Sequence, residues 1–156
     1  MCDFYKIVII LPLRSNNSTM VDIIKLDKNL QELVLLKNKL SSIGYDNAEY
    51  DDVEEKLHDL EDSFIDEYGD YLEEVLHNVH DEYCPDNDVL LPTAYLANVY
   101  KVNPDNSFEV SSSEGVFVDA DDFPGKNTRL VIIPNPLRIV LNIDSKNSEI
   151  LWRSES

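Results

Sequence analysis

The sequence predicts an α+β protein: an N-terminal strand, two or three helices including one long acidic helix, then an antiparallel β-sheet. Three observations carry this. A near-continuous apolar run stands at the front, apolar residues recur at helical spacing between positions 30 and 79, and short β-rich runs separated by turn residues fill the chain from Leu90 onward. Helices are segregated in the first half and the sheet lies largely in the second, the pattern of an α+β protein. At 156 residues the chain fits a single domain spanning 1–156, large enough to support a core without staples.

In chain order, Tyr5 to Leu13 (Y-K-I-V-I-I-L-P-L) reads as a central strand buried on both faces, ended by the polar S-N-N-S-T at 15 to 19. From Met20 the reading divides, because V-D-I-I-K-L suits either a second strand or the start of a helix. Asp27 is placed to cap a helix beginning just after it. Leu30, Leu33, Val34, Leu36, Leu40 and Ile43 then recur at helical spacing, and Gly44 is placed to stop that helix.

A second apolar stripe comes next: Val53, Leu57, Leu60, Phe64, Tyr68, Tyr71, Val75 and Val79, in steps of three or four. Its phase survives Gly69, which favours one long helix or two nearly collinear ones over a hairpin. A continuous helix from about 48 to 82 is roughly 50 Å long at 1.5 Å per residue, more than a small domain is wide. Such a helix must project, bend at Gly69, or pair with another chain.

The later runs are Tyr95 to Val102, Phe108 to Ser111, Val116 to Val118, Arg129 to Ile133, Leu137 to Ile143 and Glu149 to Arg153. Turns at N-P-D-N-S (103 to 107), P-N-P (134 to 136) and D-S-K-N-S (144 to 148) make them a meander.

Charge points toward function. Residues 46 to 88 hold eighteen of the thirty-one acidic residues and one basic residue, Lys56, a formal −17 of the total −18. A surface this negative repels nucleic-acid phosphates and anionic lipid, and favours cations, basic proteins or proteins that themselves hold nucleic acid. Local stability does not explain it. Like-charge pairs at i, i+4, such as Asp51 with Glu55 and Asp62 with Asp66, each destabilise a helix by about 0.2–0.5 kcal/mol, and Asp81 and Glu82 lie near the wrong end of the helix dipole.

The candidate contact residues are therefore Asp51, Asp52, Glu55, Asp59, Asp62, Asp66, Asp70 and Glu73, which lie mainly opposite or beside the apolar stripe. Tyr50 and Tyr83 join them as candidate exposed contacts, whereas Tyr68 and Tyr71 fall on the stripe and read as core. The expected behaviour is that of a non-enzymatic inhibitor blocking a basic target, most plausibly an immunity protein or antitoxin against a nuclease-type toxin, with no cofactor and no direct nucleic-acid binding. Two other classes compete. One is a metal-binding protein or small metal-dependent hydrolase using Glu73, His77, His80 and Cys84, the E-x-x-H pairs Glu55/His58 and Glu74/His77, or the loop carboxylates Asp119, Asp121 and Asp122. The other is a homo-oligomer zipped through the Val53 to Val79 stripe.

Phosphate cradles and nucleophile elbows need clustered glycines, and Gly44, Gly69, Gly115 and Gly125 are isolated. Cys2 and Cys84 do not form the dense set of a disulfide framework, which indicates a reducing compartment. The run Ile7 to Leu13 comes after Asp3 instead of a basic leader, contains Pro12 and lacks a small-residue cleavage pattern. No stretch approaches the roughly 20 apolar residues of a membrane span. These features predict a cytoplasmic protein with no membrane partner.

Overall fold

A computed structural model describes residues 21–154. The expected strand at Tyr5 to Leu13 lies outside the described residues. Helix α1 spans Ile23–Ser42, so V-D-I-I-K-L is helical, and the capping residue is Asp22: its carboxylate accepts from the Lys25 N–H at 3.1 Å. Asp27, expected as the cap, sits instead one turn inside the helix. There its carboxylate accepts from the backbone N–H groups of Asn135 and Leu137 at 2.9–3.2 Å, tying α1 to the P-N-P turn. The helix does end just before Gly44, but not through a glycine cap. The chain leaves at Ile43, which is extended, and Gly44 does not have the positive φ of a glycine cap.

Helix α2 spans Tyr50–Tyr83, 34 residues, running through Gly69 without interruption. Its apolar stripe is covered within the chain: Val53, Leu57, Phe64, Tyr68, Val75 and Val79 are buried, with Leu60 and Tyr71 half-buried. Leu26, Leu30, Leu33 and Val34 of α1 share that core. The stripe that the zipped oligomer would need is thus already occupied.

After α2 a 3₁₀ turn covers Pro92–Tyr95, and β1 (Lys101–Val102) pairs antiparallel with β2 (Phe108–Glu109). Strands β3 (Val116–Val118), β4 (Thr128–Ile133), β5 (Arg138–Ile143) and β6 (Asn147–Arg153) then form a four-stranded antiparallel meander in sequence order. The expected strand from Tyr95 to Val102 is reduced to its last two residues, because side chains take the backbone groups a ladder would use. Asn38 bonds both the N–H and the carbonyl of Tyr100 at 2.8 Å, and Glu114 accepts from the N–H groups of Asn98 and Val99. Burial also fails to alternate: Tyr95, Leu96 and Ala97 are all buried.

Strands β4 and β5 are buried nearly throughout. The segment before β3 covers one of their faces, where Asn142 donates to the carbonyls of Ser111 and Glu114 and Arg138 to that of Phe108. One apolar cluster joins residues of both helices, the 3₁₀ turn and the strands. The architecture is α+β.

Candidate protein-binding face

The eight candidate carboxylates all lie on α2. Seven are exposed, and Glu73 is half-buried. At 100° per residue they fall within an arc of about 100°, opposite the side occupied by Val53, Leu57, Phe64 and Tyr68. The arc arises from the sequence steps: Asp51, Glu55, Asp59, Asp62, Asp66, Asp70 and Glu73 recur every three or four residues in phase with the helix. In the last turns the buried side rotates toward that arc, through Leu76 and His80, and this half-covers Glu73.

Among the described residues none of the eight has a cationic group within ion-pairing distance. Two bases near α2 pair with other acids, Lys25 with Glu67 at 3.1 Å and Lys39 with Glu49 at 3.4 Å, and Lys56 on the helix itself forms no ion pair among the described residues. Carboxylates so spaced repel one another, and the charge they build up attracts cations.

The tyrosines divide differently from expectation. Tyr68 is buried, its hydroxyl accepting from Asn29 at 2.8 Å, and Tyr71 is half-buried, with burial and the nearby Glu74 pushing its phenol up to about 12. Tyr83 is half-buried against the core and not freely exposed. Tyr50 is half-buried under Tyr45, whose ring centroid lies 4.7 Å away at 43°. Burial, then hydrogen bonding with Tyr45, then the carboxylates of Glu54 and Asp51 raise the Tyr50 phenol. Tyr45 is 87% exposed. It was not among the expected contacts because it stands one residue outside the acidic segment, although its spacing of five from Tyr50 across a glycine-led turn was visible.

The candidate metal ligands are not brought together. His77 is exposed, whereas His80 is 2% exposed with both ring nitrogens engaged, Nδ1 on the Asn87 carbonyl at 2.9 Å and Nε2 on the Tyr95 hydroxyl at 3.0 Å. A carbonyl only accepts, so Nδ1 donates to Asn87, and the Tyr95 oxygen that meets Nε2 also accepts from the Leu90 N–H. Cys84 is buried, which together with Asp121 pushes its thiol up to about 11. His58 faces Glu61 at 3.8 Å, not Glu55.

In the loop after β3, the backbone N–H groups of Asp119 and Asp121 donate to Asn87 and Tyr83, docking the loop on the end of α2. Among the described residues no three potential ligands stand close enough to share a metal. Nor is any described helix long and apolar enough to cross a membrane.

Compared with known proteins, the chain matches no family model, no curated protein and no solved structure.

Proposed function

We propose that this protein is a non-catalytic inhibitor that binds a basic, nucleic-acid-handling protein through the carboxylate row of α2 and blocks it, in the manner of a cytoplasmic immunity protein or antitoxin facing a nuclease-type toxin. The observation that carries the reading is the row itself: carboxylates in phase along one helix face, none within ion-pairing distance of a cationic group among the described residues, with Lys56 the one Lys or Arg in the helix. From Asp51 to Glu73 the row is about 33 Å long at 1.5 Å per residue. That is close to the ~34 Å of one duplex turn, so a groove shaped to follow a phosphate backbone meets a matching line of negative charge. Dense charge of one sign also speeds encounter and makes binding salt-dependent.

The test is charge reversal in the full chain, Asp59→Lys with Asp62→Lys and Asp66→Lys. A basic protein captured stoichiometrically by the parent chain, and inhibited by it in a nucleic-acid cleavage or binding assay, should bind the variant at least about a hundredfold more weakly, within the range of coupling energies for close interfacial charge pairs. Its salt dependence should flatten. Equal affinity of the two chains removes the proposal.

A further inference from the structure

We propose that the free edge of β6, with the groove beside it, is the docking site of this chain's own apolar run at residues 5–13, which adds to the sheet as a strand next to β6. The proposal is independent of the carboxylate row. β6 ends the order β3-β4-β5-β6, and the backbone groups on its second edge bond no strand and no side chain among the described residues. The opposite edge of the sheet is closed: β3 pairs with residues 128–130 of β4, and further along the Tyr100 hydroxyl donates to the Ile132 carbonyl at 2.7 Å. An open edge is a template for another strand. On this one Ile150 is 50% exposed, and Leu151 and Trp152 are only half-buried.

A groove of about 530 Å³ opens along the edge, with Ile150, Val140, Val110 and Phe108 in its walls. Its charged groups already have partners. Arg138 donates to the carbonyls of Pro134, Pro136 and Phe108, and Glu109 accepts from Asn103 at 2.8 Å. Asn142 is engaged as well, by Ser111 and Glu114. What the groove offers an incomer is therefore carbon surface, which suits apolar side chains better than an ion.

The run can reach this place. Asp27 holds the N–H groups of Asn135 and Leu137, and Arg138 stands opposite Arg153 in the ladder, so α1 begins at the end of the sheet where β6 finishes. The described chain starts six residues before Asp27, at Val21, which packs on the core. From Leu13 to Val21 an extended chain spans up to ~26 Å at ~3.3 Å per residue, against about 4.8 Å between neighbouring strands. Nine residues at the same rise cover about 30 Å, enough for the whole of β6, which has seven.

Composition agrees. Apart from Lys6 and Pro12 the run is apolar throughout, fit for a strand with one face on the groove and the other beside Trp152. Pro12 has no N–H to donate and is tolerated on the outer side of an edge strand. A tether this short gives an effective concentration on the order of 1 mM, which favours the chain's own segment over a separate one.

Methyl-labelled full chain, read by nuclear Overhauser contacts, tests the assignment. The Ile150 methyls should contact methyls among Ile7, Val8, Ile9, Ile10 and Leu11, and a mixture of labelled and unlabelled chains should show that these contacts lie within one molecule. Ile150→Lys, at a half-exposed position, should speed amide exchange across residues 5–13 at least about tenfold while the amides of β4 keep their rates. No contact between the run and Ile150 overturns the proposal. So do contacts found only between chains, which would give the edge to a second copy, and exchange in residues 5–13 that Ile150→Lys leaves unchanged.

Discussion

The two ends of α2 obey the same apolar spacing and have different surroundings. From Val53 to Tyr68 the buried residues keep to a narrow side of the helix, and the opposite side carries exposed acids. From Leu72 to His80 the buried side widens to include Leu72, Val75, Leu76, Val79 and His80, because a second layer closes over it: His80 bonds Asn87 and Tyr95, and the Asp121 N–H reaches the Tyr83 carbonyl. One helical neighbour leaves a face free for charge, and a second neighbour consumes it. Burial is thus densest in the last turns of α2, and exposed charge is cleanest in the first ones.

The strongest way to break that division is truncation in each half. Leu76→Ala, at a site that is fully buried, should cost about 3 kcal/mol, whereas Leu60→Ala, half-buried in the first half, should cost about 1 kcal/mol. Urea unfolding of both variants measures the gap, and equal losses would show that the two halves are equally embedded.

Alkali gives a smaller effect. Tyr71 ionises near 12 in the folded chain against an ordinary value of 10, and Cys84 near 11 against 9, so both folded values are raised. The stability this represents is complete below pH 9 and is lost as pH rises to about 12. Tyr71→Phe should make the fall in unfolding free energy between pH 8 and pH 11.5 shallower. An unaltered slope would mean that the phenol is not confined as described.

The smallest effect concerns the row. Asp62→Lys replaces a repulsive pair with Asp66 by an attractive one and should raise stability by roughly 0.2–0.5 kcal/mol at low salt, fading at about 1 M salt. Thermal melting in both buffers tests it. A loss of stability would make these carboxylates supports of the helix and blur the contrast between its ends.

Local chemistry was readable in the sequence where neighbours along the chain decide it. Val116 to Val118 coincides with β3, and Arg129 to Ile133 falls one residue short of β4. The phase of the carboxylate row, too, is a property of spacing alone. Features that depend on a distant partner escaped. Asp27 has the chemistry of a cap, but Asp22 stands where the helix begins, and the carboxylate of Asp27 is taken by a turn more than a hundred residues away. Tyr95 to Val102 has strand composition, yet Asn38 and Glu114 claim its backbone. His80 resembles a ligand because helical spacing sets it near His77, but nothing in that spacing reveals the Tyr95 hydroxyl waiting on the buried side.

The confinement of the charge has a consequence for how the molecule moves. With −17 held between residues 46 and 88 and a near-neutral remainder, the protein carries a large permanent dipole moment. In the field of a cationic body it turns before it touches, so that successive collisions are not random in angle. Ion-exchange resin would sense the same asymmetry, gripping the chain by the flank that α2 presents.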